Sequence, residues 1–443
     1  MTPGAGGIGR FLIVMGSGET SPTMVKTHRA VLDQLGPPPV PAVLLDTPFG
    51  FQENADDITA RARQYFRDSV GIEIDVASFR SAGDTADSVA HERSLDRLRR
   101  ARYAFAGPGS PSYALSQWRE SPIPDVLATK LSEGGAVCFA SAAALTVGIS
   151  TVPVYEIYKV GADPHWLEGL DLLAATGLRA AVIPHYNNAE GGNHDTRFCY
   201  LGERRLSRME KELPEGAFVL GVDEHTGLVM NLNKGTAEVV GIGVVTVRAQ
   251  GRSRTIESGQ IVGIGELAAM ADELATGKAA GGDGQPLRAS DAGARARAEN
   301  GAGAEVAGLG RSGRSPLLDA AHARQLEFDD AIERRDADAA TAAVLGLDAD
   351  LAAWAADTLQ SDEMDRGRAV LRGMIASLGE LAGSGLHDPA AVVGPYVELV
   401  LQQRRSARAE RRFSDADALR EGLVALGVEV MDTPEGTDWR LVR

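Results

Sequence analysis

The chain has 443 residues, more than one hydrophobic core usually serves, so two or more domains are expected. Hydrophobic residues at 44% and charged residues at 24% give the balance of a soluble globular protein and set aside the disordered and fibrous classes. A formal charge of −16 excludes a surface that is basic throughout, as a general nucleic-acid or anionic-membrane footprint would be, and leaves room for a local basic patch.

Cys138 and Cys199 are too few for a disulfide framework and lack the pairing of a zinc site, so a reducing cytoplasm is predicted. The start carries a short apolar run, Phe11 to Met15, without the charged head, long apolar stretch and cleavage site of a signal peptide. No segment approaches the roughly 20 apolar residues that span a bilayer. No membrane partner, cofactor or metal is expected.

From the amino terminus, short β-branched runs alternate with helical patterns: Phe11 to Met15, Ala42 to Asp46, Ile72 to Val76, Tyr103 to Ala106, Ala136 to Ala140 and Ala180 to Pro184. Strands separated by amphipathic helices predict an α/β fold, a mostly parallel sheet with helices on both faces. Phe218 to Val222, Gly227 to Asn231, Glu238 to Ile242 and Val244 to Arg248 follow without intervening helices and predict an antiparallel extension.

Residues 1–272 are therefore assigned to the α/β domain. Positions 273–315 turn to Gly, Ala, Arg and Ser with no sustained apolar period, the composition of a flexible linker. In 316–443 apolar residues recur at helical spacing, as in Val370, Leu371, Met374, Ile375 and Leu378, which predicts a separate small helical domain. Its end, around Thr433-Pro-Glu-Gly-Thr437, is predicted to be two short strands about a turn.

The chemistry concentrates in Gly134-Gly-Ala-Val-Cys-Phe-Ala-Ser-Ala-Ala-Ala-Leu145, where a buried strand runs into Ser141 and a helix-compatible run follows at once. A nucleophile on such an elbow needs small neighbours, and the backbone N–H groups behind it favour an oxyanion. The plainer reading is a strand-to-helix turn with Ser141 as N-cap. Gly16-Ser-Gly-Glu19 and Gly107-Pro-Gly-Ser-Pro111 end two other strands, so their loops gather at the carboxyl edge of the sheet, where ligands bind in open α/β folds. Gly-Ser-Gly-Glu lacks the Lys and the spacing of a P-loop.

Gly16-Ser-Gly-Glu19, Phe105-Ala-Gly-Pro-Gly109, Ala140-Ser-Ala142, Pro184-His185 and Gly221-Val-Asp-Glu-His-Thr226 occur in the order of the cyanophycinase and dipeptidase E family. The resemblance covers roughly the first 250 residues and implies a serine peptidase on a class I glutamine amidotransferase-like fold. It makes Ser141 the nucleophile, His185 the general base and Glu224 the acid that orients the imidazole, with oxyanion donors at Ala142 and Gly109. A serine hydroxyl needs a base to take its proton, and the base needs a fixed tautomer.

Where the family elbow usually reads Gly-Thr-Ser-Ala-Gly-Ala, Phe139 and Ala143 stand in the glycine positions here, so a wall of the site or an inactive elbow is open. The histidine is open too, since His194 and His225 lie close in sequence to His185, and Asp195 and Asp223 compete with Glu224. His185, His194, Asp195 and Glu190 form a metal alternative whose spacing matches none of the usual signatures. The polar stretch Tyr186 to Arg197 has the composition of a loop over a site, and Asn187, Arg197 and Arg204 are candidate substrate-binding residues, since a guanidinium can clamp a carboxylate. A solvated helix face is the alternative for the arginines. The family's Asp-Gln-His reads Ile183-Pro-His185 here, which gives no ground for cyanophycin as substrate.

The stretches Arg404 to Arg420 and Leu426 to Trp439 resemble the extreme carboxyl terminus of cysteinyl-tRNA synthetases, with no synthetase catalytic motif beside them. Arg404, Arg408, Arg411 and Arg412 recur at helical spacing and could face phosphates, or form a solvated helix face. Trp439 is read as a core anchor. The combined expectation is a cytoplasmic serine peptidase or amidase that cleaves a peptide or amide substrate through an acyl-enzyme. The alternative is an inactive binding protein that engages tRNA or a protein through its carboxyl-terminal domain. Glutaminase chemistry would need Cys at the elbow, and Cys138 lies three residues before it. A homodimer is left open.

Overall fold

The computed structural model describes residues 8–81, 88–189, 194–277, 315–355, 363–385, 389–433 and 436–442. The strands are β1 (Arg10–Met15), β2 (Ala42–Leu45), β3 (Asp75–Ala77), β4 (Tyr103–Ala106), β5 (Gly135–Ala140), β6 (Ser150–Thr151), β7 (Leu167–Glu168), β8 (Ala180–Ile183), β9 (Phe218–Val222), β10 (Thr226–Asn231), β11 (Thr236–Gly241), β12 (Val244–Ala249), β13 (Arg252–Glu257) and β14 (Ile261–Gly263). Interleaved are α1 (Val25–Leu32), α2 (Ala55–Tyr65), α3 (Ser88–Arg100), α4 (Pro111–Trp118), α5 (Ile123–Glu133), α6 (Ser141–Leu145), α7 (Gly202–Met209) and α8 (Ile264–Thr276).

An eight-stranded sheet has the order β14-β11-β10-β1-β5-β4-β2-β3. Its β1-β5-β4-β2-β3 portion is parallel throughout, and β10, β11 and β14 extend it antiparallel from β1. Along β1 successive side chains alternate between faces. Leu12 and Val14 enter one core cluster with Val43, Val137 and Phe139, while Phe11, Ile13 and Met15 enter another with Leu44, Tyr103 and Phe105. Both faces are covered, which explains the unbroken apolar run of β1. Helix starts follow local chemistry: Ser110 Oγ caps α4 by accepting from the Tyr113 N–H at 3.2 Å.

The structure departs from the sequence expectation at β8. Instead of continuing the parallel sheet, it joins a second sheet of order β13-β12-β9-β8, pairing parallel with β9. Between β5 and β8 lie α6, two short turns of helix and the β6–β7 pair, with no crossover helix long enough to return the chain beside β5. β3 starts three residues later than Ile72, after the π-helical turn Phe66–Val70, and the strands β13 and β14 had no separate expectation.

The chain divides into two compact units, Met1–Ala321 with Leu347–Gly367, and His322–Gly346 with Arg368–Arg443. The expected linker begins inside α8, which runs to Thr276, and its positions 278–314 lie outside the described residues. The carboxyl-terminal region contains α9 (Pro316–Glu333), α10 (Ala337–Ala353), α11 (Glu363–Gly385), α12 (Pro389–Ala409) and α13 (Phe413–Ala425), then the antiparallel pair β15 (Val428–Thr433) and β16 (Gly436–Leu441). Val397, Leu401, Leu423, Val428 and Val430 form a core there, with Trp439 packed against it and donating to Glu398 at 3.0 Å. Among the described residues no helix is long and apolar enough to cross a membrane.

Candidate active site

Ser141 opens α6 directly from β5. Ala140 is extended, and Ser141 turns into the left-handed region at φ 49°, a conformation that costs a non-glycine residue roughly 1–2 kcal/mol. The N-cap reading fails here: Ala140 holds the cap position and no side chain caps the helix. The Ser141 hydroxyl lies 2.9 Å from His185 Nε2 instead.

His185 follows β8, also left-handed at φ 48°. Its carbonyl accepts from the N–H groups of Asn188 and Cys199, each at 3.2 Å, which pins the turn that carries the imidazole. Nδ1 sits 3.0 Å from Glu224 Oε1, and Asn188 donates to the same oxygen at 3.4 Å. Burial acts to raise the Glu224 pKa, but the hydrogen bond and charge of His185 outweigh it and hold the carboxyl below its usual range. An ionised Glu224 fixes the proton on Nδ1 and leaves Nε2 to accept from the serine.

Asp223 does not reach the imidazole: its Oδ2 accepts from the Val244 N–H at 3.1 Å, and burial pushes its pKa up to about 6. Asp195 is engaged bidentately by Arg197 at 2.8 Å on both oxygens. Of the metal alternative, Glu190 lies outside the described residues, His194 stacks on Tyr158, and among the described residues no group of three or more His, Cys, Asp or Glu side chains could hold an ion.

The Gly107–Gly109 loop is tied to the elbow by a hydrogen bond from the Ala143 N–H to the Gly107 carbonyl at 3.1 Å. Gly109 has φ 135°, and a Cβ there would fall 2.0 Å from the Pro48 carbonyl oxygen, so only glycine fits. Ser141, Ala142, Gly109, His185 and Glu224 line one pocket of about 480 Å³. First-turn N–H groups such as that of Ala142 have no acceptor within their own helix.

Phe139 is not a wall of the site. It is fully buried in the core against Trp118, with ring centroids 5.5 Å apart, because its place in β5 turns it away from the elbow. Cys138 is buried in the same strand, with its thiol pushed up to about 12, and does not stand where an elbow nucleophile would.

Other expected site residues fall elsewhere. Asn187 Oδ1 accepts from the Glu224 N–H at 2.8 Å and so holds the acid's backbone. Arg197 is committed to Asp195, and Arg204 is exposed and outside the pocket lining. Cations that do line the pocket are Arg61 and Lys159, which charge-rich local sequence did not single out. Glu19 lines it too, and its place in Gly16-Ser-Gly-Glu19 was the available signal.

In the carboxyl-terminal unit, the Arg404 side chain is 4% exposed and bidentate to Asp432, with both contacts 2.7 Å. Arg408 also pairs with Asp432, and Arg412 pairs with Glu410 and Asp415. Three of the four arginines expected to face phosphates thus bind the protein's own acids.

The fold and site define an α/β protein with a Ser–His–Glu hydrogen-bond chain at the carboxyl edge of its parallel strands. Comparison with known proteins divides along the chain. The family model of the cysteinyl-tRNA ligase anticodon binding domain matches residues 393–440. Cysteine–tRNA ligase of Desulfovibrio desulfuricans is 55% identical over 47 residues, 11% of this chain and 10% of that protein. The enzyme of Deinococcus radiodurans is 33% identical over 127 residues, 27% of this chain and 25% of that protein. The chain therefore spans between a tenth and a quarter of these relatives' length. A peptidase structure from an acI-B1 actinobacterium aligns with 58% of this chain and 98% of its own, at 19% identity and a TM-score of 0.48.

Proposed function

We propose that the chain is a serine peptidase or amidase. The observation that carries the reading is the hydrogen-bond chain Ser141–His185–Glu224, 2.9 and 3.0 Å long, inside the pocket that also contains Ala142 and Gly109. Ser141 Oγ attacks the carbonyl carbon as its proton passes to His185 Nε2, and Glu224 balances the imidazolium. The oxyanion is received by the N–H groups of Ala142 and Gly109. As the C–N bond breaks, the imidazolium returns the proton to the leaving amine. Water, deprotonated by His185, then cleaves the ester and regenerates the serine hydroxyl. Arg61 and Lys159 take the carboxylate-binding part that sequence had assigned to Arg197 and Arg204.

The test is covalent labelling with a fluorophosphonate probe, read by intact mass in wild type and Ser141→Ala. A single adduct that disappears in the variant supports the reading. An unlabelled wild type under conditions where a known serine hydrolase reacts counts against it.

For the carboxyl-terminal unit, the match of residues 393–440 favours contact with tRNA as a second reading. A gel shift with total tRNA tests it, and no retardation at low salt refutes it, since phosphate contacts strengthen there.

A further inference from the structure

One buried ionisable group in the pocket takes no part in the proposed reaction. Glu19 is 1% exposed, lines the pocket, and its Oε1 is buried without a hydrogen-bond partner. Its surroundings are built with care. The Glu19 carbonyl is 2.7 Å from His28 Nε2, and His28 Nδ1 is 2.7 Å from the Tyr103 hydroxyl. Since a carbonyl can only accept, Nε2 carries the proton and Nδ1 accepts from the tyrosine. His28 is fully buried and pushed down to about 4, so it is neutral and offers Glu19 no charge.

The carboxyl sits over the loop that carries the oxyanion donors. A Cβ on Gly107 would meet Glu19 Oε1 at 2.9 Å, which places the oxygen directly against that residue. Gly107 is in turn fastened to the elbow through the Ala143 N–H. Titratable groups near Glu19 are His185 beyond the elbow, Cys138 on β5, and His28 and Tyr103 on α1 and β4, and Arg61, Lys159 and Glu224 line the same pocket. Cys138 and Tyr103 are pushed upward by burial and remain neutral, and His185 is already matched by Glu224. Among the described residues no Lys or Arg forms an ion pair with Glu19. Burial raises its pKa, against smaller lowering effects from its own backbone and from His185.

We propose that Glu19 is a positioning residue that works as a neutral carboxylic acid packed against Gly107, and that its ionisation shuts down attack by Ser141. A carboxylate there would place an unpaired charge against the loop where the oxyanion forms. The same charge would favour an imidazolium at His185, but Glu19 touches Gly107 and makes no hydrogen bond to the imidazole, so the repulsion dominates. This inference rests on the serine-hydrolase reading.

The experiment follows the second-order rate of fluorophosphonate labelling against pH in the full chain, for wild type, Glu19→Gln and Glu19→Asp, with circular dichroism confirming the fold at each pH. Wild type is expected to show an alkaline limb falling roughly tenfold per pH unit, the slope of one ionisation. Glu19→Gln, which keeps the shape and cannot ionise, is expected to lose that limb, and Glu19→Asp to retain one. An unchanged limb in Glu19→Gln, or a wild-type rate that never falls, overturns the proposal while leaving the serine reading intact. Absence of label in every variant defeats the serine reading itself. Carbon-13 titration of the Glu19 carboxyl in Ser141→Ala gives an independent readout, and a carboxylate signal at the pH where wild type labels fastest overturns the proposal whatever the kinetics show.

Discussion

Replacing Glu224 by glutamine separates charge from shape in the hydrogen-bond chain. The carboxylate lies 3.0 Å from His185 Nδ1, and the two side chains are 25% and 19% exposed, so an effective dielectric of about 20 is appropriate. Coulomb attraction to an imidazolium at that distance is about 5.5 kcal/mol, of which a neutral amide acceptor keeps about 1.5–2.5 kcal/mol as a hydrogen bond to a charged donor. The difference, about 3–4 kcal/mol, corresponds to a loss of between a hundredfold and a thousandfold in the rate of Ser141 modification. The tautomer should survive, because Asn188 donates toward the same oxygen and favours the amide oxygen facing His185. Combining Glu224→Gln with Asn188→Ala should therefore lower the rate further. Stopped-flow labelling with a fluorophosphonate measures both. A Glu224→Gln variant that is folded and reacts at more than a tenth of the wild-type rate would refute the role given to this carboxylate.

Three further outcomes concern stability. His28 has an ordinary pKa of 6.5 unfolded and about 4 folded, so the unfolded chain binds the extra proton between those values. Stability is then lost as pH falls below 6.5 and levels off near 4, by roughly 3 kcal/mol from this group. His225, also lowered to about 4 by burial, acts in the same window, so His28→Gln should reduce the slope of urea midpoint against pH without abolishing it. Arg248, with a 4% exposed side chain, binds Glu203 and the buried Glu210. Arg248→Met strands Glu210 and should cost about 3–5 kcal/mol, with a Tm drop on the order of 10 °C that Glu210→Gln partly restores. Phe139→Ala should lose about 3–5 kcal/mol by opening a cavity against Trp118, measured by chemical denaturation. Ser141 should still be labelled in that variant, because Phe139 does not line the pocket.

The sequence by itself determined the parallel strands, the elbow and the three members of the hydrogen-bond chain as candidates. The strands are written locally: a run such as Phe11 to Met15 is apolar at every position because both faces of its strand are covered, whereas Ser141, His185 and Glu224 became candidates through the order of motifs shared with a known family. The candidate acids were not separable that way. Asp223 and Glu224 are adjacent, and which one meets His185 depends on the direction each side chain takes as β9 hands over to β10, with Asn187 holding the Glu224 backbone. Arginines were hardest to read. Arg197 and Arg404 carry the same local signature as a ligand-binding guanidinium, yet each is consumed by an acid two or twenty-eight positions away. Glu19 stood in the Gly16-Ser-Gly-Glu19 motif, but its burial without a partner for Oε1 emerged only when β1, β4 and β5 came together, because that is a property of the assembled pocket.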